Sequence, residues 1–324
     1  MCWVCRLTGV IASAAATPRR SARVGLAQVC AAGLLWGTGG LVVTLLHRRD
    51  GLGAMTISAW RMTLAAVALI VFAAVTRRSR VAIGTMRRHP LLSVVVGSGT
   101  ALYQGLFFVS VLLVGVSVAT VVSLGLAPVL ASGWESLAAR SRPARREVAV
   151  LAAALVGLVL ISATANRWPA AAGDRPGLGL ALAVASGATY AATTVLGHRL
   201  AQRTDPVALT TCATAVGAVV LLPFLAVAAA TSEPVHAAGT VSWALLVYLG
   251  IATMAVSYGL LYAGLRTTSG SAATVATLVE PVSAALLAAL LLGERLTWPA
   301  LLGGALILAA VVALRPTEER PVPA

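Results

Sequence analysis

The sequence contains no lysine: all 24 basic residues among its 324 are arginine, set against 10 acidic residues for a formal charge of +14. That absence excludes a phosphate-loop lysine and a Schiff-base lysine, and with them a Walker-type ATPase within this chain. Charge of either sign is scarce, at 10% of residues where a soluble domain carries about 25%. The arginines lie between apolar runs and in the tails rather than along one stripe, so the positive balance reads as membrane topology and not as a nucleic-acid surface. Cysteine is almost missing as well. Cys2 and Cys5 form the one close pair, with no second pair or histidines to complete a metal site, while Cys30 and Cys212 stand alone. The sequence also lacks paired carboxylates, or a nucleophile with its base, near one end of an apolar run, which argues against an enzyme embedded in a membrane. No cofactor and no metal are implied.

What the sequence does have is apolar length. Residues are 59% hydrophobic and the mean hydropathy is +0.92, more apolar surface than a soluble core absorbs. A bilayer core about 30 Å thick takes roughly 20 apolar residues as a helix. Runs of that length recur at 24–46, 53–75, 91–113, 116–138, 147–164, 177–197, 206–230, 241–264, 270–292 and 298–314. They predict an all-α integral membrane protein of ten transmembrane helices. The stretch from 91 to 138 is too long for one crossing, so it divides near residue 115. With the N-terminus inside, 18 arginines fall on inner segments, five on outer loops (Arg48, Arg49, Arg167, Arg175, Arg295) and one, Arg61, within a span. Cytoplasmic loops retain positive charge, which puts both termini in the cytoplasm of a multi-pass cell-membrane protein. Residues 1–23 read as a cytoplasmic tail, or as the product of a start codon called too early, because no positive cluster precedes the weakly apolar stretch at 7–16.

The spans divide into two sets. Pro128 and Pro281 lie 153 residues apart, in Leu-Ala-Pro-Val and Val-Glu-Pro-Val, and the same offset carries Ala119 onto Ala272 and Leu137 onto Leu290. An offset of 154 carries Gly25-Leu26-Ala27 onto Gly179-Leu180-Ala181 and Trp36 onto Tyr190. Because five is odd, the second set of five helices enters the membrane from the opposite face, giving two inverted repeats. The expected division is a tail at 1–23, a first repeat at 24–164, an outer linker at 165–176, a second repeat at 177–314 and a tail at 315–324.

At these residues the chain resembles the drug/metabolite transporter superfamily, specifically EamA-type transporters with two EamA repeats. The strongest match is Leu278-Val279-Glu280-Pro281-Val282 followed by Leu291-Leu292-Gly293-Glu294-Arg295-Leu296, which is similar to that family's repeat-ending signature. Leu35-Trp36-Gly37 and Arg61 support it. The resemblance implies a secondary transporter, an exporter of a small metabolite such as an amino acid or related amphiphile, working by alternating access around a midplane cavity. Drug or cation efflux by the same fold, and a non-transporting sensor or assembly protein, stay open beside it. One departure stands out: Arg140-Ser141-Arg142 occupies the first repeat's equivalent of Gly293-Glu294-Arg295, so the family's glutamate is missing at Ser141.

Ionisable groups within spans each need a partner or a purpose. Glu280 falls mid-span beside Pro281, whose missing N–H frees a carbonyl one turn earlier, and reads as a site for a substrate ammonium or a coupling proton, or else as a structural glutamate. Arg61 is a partner for Glu280 or for a substrate carboxylate, though its off-centre depth favours snorkelling. Glu135, near the Arg140–Arg146 cluster, reads as an interfacial salt-bridge residue. Trp36, Tyr103, Gln104, Tyr190, Tyr258 and Tyr262 lie away from span ends and read as cavity-lining groups or, taken singly, as packing between helices, with Trp36 and Tyr190 expected to face each other across the repeats. Pro128 and Pro281 read as hinges or as static kinks that neighbouring helices tolerate, and Gly33-x-x-x-Gly37 with Gly39, Gly40, Gly97, Gly99 and Gly105 is expected to bring helices close. The four histidines, 47, 89, 198 and 236, fall in loops or span ends, outside any proton relay in the membrane. Expected partners are a small-molecule substrate, the bilayer, protons as one option for coupling, and at most a second copy as a homodimer.

Overall fold

Apolar length dictates the architecture seen in the computed structural model, which describes residues 18–114, 116–164, 175–292 and 297–314. The Cys2 and Cys5 pair, linker residues 165–174, Gly293-Glu294-Arg295-Leu296 and residues 315–324 lie outside the described residues. Among those described there is helix and no strand. The first set comprises α1 (Pro18–Asp50), α2 (Ala54–Val75), α3 (Ser79–Arg88), α4 (Pro90–Val114), α5 (Val116–Ala138) and α6 (Arg145–Thr164). The second comprises α7 (Pro176–Ala201), α8 (Pro206–Ala230), α9 (Thr240–Gly250), a π-helical turn (Ile251–Val256), α10 (Ser257–Gly264), α11 (Gly270–Ala276), α12 (Val279–Leu292) and α13 (Trp298–Ala313). Among the described residues nine helical stretches are long and apolar enough to cross a membrane, and α13 is a shorter apolar helix. The chain is thus a multi-pass membrane protein.

Two departures from the expected spans bear on the site. The run at 270–292 is not one helix: α11 ends before Thr277 and α12 begins at Val279. Proline accounts for the break. Pro281 cannot donate to the carbonyl of Thr277, and the chain tightens instead, with Glu280 N donating to Thr277 O at 2.9 Å and Leu278 N to Val275 O at 3.1 Å. Pro128, by contrast, sits inside a continuous α5. The run at 241–264 is interrupted by the π-helical turn, a widening that frequently marks functional sites.

Packing repeats between the two sets. α1 packs on α10 and α12, and α7 packs on α4 and α5, while α2 pairs with α8, α6 with α13 and α5 with α11. Exchanging the first set for the second maps these packings onto one another. The α6–α13 seam shows how small residues permit it: a Cβ on Gly157 would stand 2.5 Å from Gly303 O, and one on Gly303 would stand 2.5 Å from Gly157 O. Loop contacts likewise join segments that alternation puts on one side. Trp60 Nε1 donates to Val235 O at 2.7 Å and Ala238 N to Asp50 Oδ2 at 3.1 Å, tying the start of α2 and the end of α1 to the 231–239 loop. On the other side Gln202 Nε2 donates to Leu265 O at 2.9 Å and to Arg266 O at 2.8 Å.

Glycine chemistry separates into two kinds. Gly33 and Gly37 are close-approach positions, since a Cβ on Gly33 would stand 3.2 Å from Thr277 O and one on Gly37 would overlap the Ser283 hydroxyl and stand 2.7 Å from Glu280 O. Gly39 is buried, yet among the described residues a Cβ there would meet nothing within 4 Å. Gly40 likewise has open space at its Cβ position, unlike the close packing expected of it. Gly303→Ala is expected to lower stability by about 1–3 kcal/mol, as overpacking does, whereas Gly39→Ala should be neutral or stabilising; thermal unfolding midpoints in one detergent check the contrast, and equal losses would contradict it.

Candidate functional site

The break between α11 and α12 delivers Glu280 to the middle of the bundle, where α1 approaches through Gly33 and Gly37. Thr277, at the break, accepts a hydrogen bond from the Tyr190 hydroxyl on α7 (3.1 Å). Tyr190 stacks at a tilt on Tyr103 of α4, ring centroids 5.1 Å apart. The Tyr103 and Tyr258 hydroxyls lie 3.2 Å from each other, and Tyr258 of α10 stacks on Trp36 of α1 at 5.2 Å. Trp36 Nε1 in turn donates to Thr253 O at 2.9 Å, on the π-helical turn. Four rings therefore form one chain, Trp36–Tyr258–Tyr103–Tyr190, whose two halves exchange along with the two sets of helices. Its ends are held by backbone or hydroxyl on the second set's two irregular segments.

These contacts correct the expected arrangement of Trp36 and Tyr190. They do not face each other but stand at opposite ends of the aromatic chain, because Tyr103 and Tyr258 meet between them. Tyr262 extends the cluster from Tyr258, centroids 6.0 Å apart, and hydrogen-bonds Thr100. Gln104 is buried next to Tyr103 in sequence, with a long 3.4 Å contact from Nε2 to Thr100 O. Sequence reasoning misses Thr253 and Thr277; a threonine within a turn of Glu280-Pro281 was the available signal for the second.

Electrostatics centre on two groups of opposite sign. Arg61 of α2 lies within Coulombic range of Glu280, and both interact with Tyr103. Among the described residues Arg61 Nε is buried with no hydrogen-bond partner, which is costly for a charged group unless something else satisfies it. Arg61, Tyr103 and Glu280 are each only half-buried, while Trp36, Tyr190, Tyr258 and Tyr262 around them are buried. Three polar groups that interact with one another thus keep some accessible surface beside buried aromatic rings. Arg61 thus has its Nε buried among the helices while the residue as a whole stays half-buried.

Glu135 does something other than the expected salt bridging. Its carboxylate accepts from Ser271 N at 3.0 Å and forms a short hydrogen bond with the Ser271 hydroxyl, at the first turn of α11. An open cleft of about 280 Å³ beside it is lined by Trp134, Glu135, His198, Arg199 and Ser269.

Comparison with known proteins decides the family. The model of the EamA-like transporter family matches twice, over residues 23–163 and 177–315. The chain belongs to the EamA-like transporter family. Similar to this EamA protein is the uncharacterized inner membrane transporter YicL of Salmonella typhimurium, 26% identical over 93% of this chain and 98% of that protein. The uncharacterized transporter YwfM of Bacillus subtilis is likewise 26% identical, over 90% of this chain and 94% of its own length. A solved crystal structure shares the fold, with a TM-score of 0.71 and 20% identity over 90% of this chain and 95% of that one. Family membership makes this EamA protein a membrane transporter, with a small molecule and the bilayer as its partners.

The hydroxyl contact at the centre of the aromatic chain gives a test. Tyr103→Phe and Tyr258→Phe are each expected to cost about 0.5–1.5 kcal/mol, and the double variant no more than the worse single one. Thermal unfolding of the four proteins measures the coupling, and additive losses would remove the contact from the account.

Proposed function

We propose that this EamA protein is a secondary transporter that exports a small metabolite such as an amino acid or related amphiphile by alternating access. Its chain crosses the cell membrane ten times, as two inverted five-helix repeats at 24–164 and 177–314, joined by an outer linker at 165–176. The tails at 1–23 and 315–324 are cytoplasmic, in keeping with the arginine distribution. The observation that carries the reading is a carboxylate placed mid-bundle at a helix break, coupled to a half-buried arginine and walled by one chain of four aromatic rings. Broken helices at a repeat interface are where secondary transporters hold their substrates.

In this mechanism Glu280 takes the substrate's ammonium or the coupling proton, and Arg61 takes its carboxylate through the nitrogen left without a partner. Trp36, Tyr190 and Tyr258 form apolar walls, and Gln104 offers a buried amide nearby. Rocking of one repeat against the other exposes the site to each side in turn. Pro281 serves as a hinge at an existing break, Pro128 as a hinge within an unbroken helix. Cation or drug efflux is a second reading favoured by one feature: a carboxylate among aromatic faces also suits an organic cation.

A thermal-shift screen of the detergent-purified protein against amino acids, polyamines, nucleosides and cationic drugs identifies the ligand class, since binding to the folded state raises its apparent stability. The stabilising compound then serves in proteoliposome flux. Glu280→Gln is expected to cut flux driven by a pH gradient at least about tenfold, the loss of a charge-assisted contact, while the unfolding midpoint stays near that of the parent. Full gradient-driven flux in Glu280→Gln would remove the proposed role.

A further inference from the structure

Between α2 and α4 the fold inserts a helix that its own symmetry does not require. The equivalent connection in the second set, from α8 to α9, passes through turns at 231–239 and carries no arginine. The α2–α4 connection instead holds α3 and five arginines, Arg77, Arg78, Arg80, Arg87 and Arg88, all exposed. One face of α3 is seated: Ala82 and Thr85 are buried against α8, Cys212 Sγ donates to Ala82 O at 3.3 Å, and Arg78 pairs with Asp205 at 3.7 Å. At about 100° per residue, Arg80 and Arg87 project directly away from that seat. Val81 and Ile83, 47% and 52% exposed, flank them on either side.

The level of α3 follows from its neighbours. Val75 and Leu91, at the adjoining ends of α2 and α4, are 78% and 77% exposed, as residues facing hydrocarbon are. A helix lying between those two ends runs along the bilayer surface, with apolar side chains at its flanks and guanidinium groups at headgroup depth. Arginine is charged at every accessible pH, and its planar fork matches phosphate oxygens two at a time. We propose that α3 is a docking site for anionic phospholipid headgroups, with Arg80, Arg87 and Arg88 as the phosphate ligands and Val81 and Ile83 as the apolar contacts. Arg78 is left to Asp205. The proposal rests on the membrane placement of α2 and α4 and is independent of which solute is carried.

The test uses the full-length protein in bilayers of equal parts phosphatidylcholine and phosphatidylglycerol, with spin-labelled forms of each lipid reporting the motionally restricted fraction by electron paramagnetic resonance. The parent is expected to prefer phosphatidylglycerol by at least about twofold. Arg80→Gln, Arg87→Gln and Arg88→Gln combined should bring the preference to parity, and the three lysine substitutions should keep part of it. Arg140→Gln, Arg142→Gln and Arg145→Gln combined, which remove an equal exposed charge elsewhere, should leave it in place. Retention of the preference in the first variant, or an equal loss in the last, would overturn the proposal. Should the glutamine variant fail to insert, the parent still decides: a photoactivatable phosphatidylglycerol headgroup should label residues 77–88, and labelling confined to other segments would contradict the assignment.

Discussion

Hydrocarbon offers no hydrogen-bond partner, and that constraint orders the rest of this structure. Many hydroxyls in the spans answer it locally, as Thr100, Thr193, Thr210, Thr211, Thr214 and Thr253 do by donating to a carbonyl four residues back. Other contacts leave their own helix. Ser110, Ser123 and Ser186 tie α4 and α5 to α7, while Trp36, Tyr103 and Tyr190 link α1, α4 and α7 to α10, the π-helical turn and the break after α11. Those of Trp36, Tyr103 and Tyr190 join the two sets of helices at the aromatic chain beside Glu280.

Pro281 makes that placement possible. Without its N–H the helix separates at Thr277 and Leu278, and the tight turn that replaces it sets Glu280 beside α1 rather than toward lipid. The first set has no counterpart: Pro128 leaves α5 whole and Ala127 occupies the position that Glu280 holds in the second. The packing is nearly two-fold, but the charge is one-sided. Glu135 repeats this asymmetry nearer the membrane surface, spending its carboxylate on the start of α11. An acidic group within reach of a basic one suits a solute that brings both signs, which is how the architecture leads to the proposed chemistry.

Much of the fold was legible in composition, because apolar length is the term in which a bilayer selects helices. The 153-residue offset between Pro128 and Pro281 announced two related sets of helices, and Leu278-Val279-Glu280-Pro281-Val282 announced the family. The helix α3 was not legible as a span, since ten residues with exposed arginines satisfy neither length nor hydropathy. Aromatic pairing escapes the sequence for a geometric reason: offset matching relates Trp36 to Tyr190, but it does not say whether symmetry mates touch, and Tyr103 with Tyr258 fills the space between them. The neighbours of Glu135 in sequence are the arginines after α5, whereas its partner in space is Ser271, more than a hundred residues away.

The claim on which the account turns is that position 280 meets water inside the bundle and meets substrate there. A chain with Cys2, Cys5, Cys30 and Cys212 changed to alanine and Ala284→Cys, one turn from Glu280 on the same helix face and half-buried, provides a thiol for a membrane-impermeant reagent applied from each side of sealed vesicles. The account predicts labelling from at least one side and protection by the transported compound. A thiol that reacts from neither side, in a protein that still carries its substrate, would contradict it.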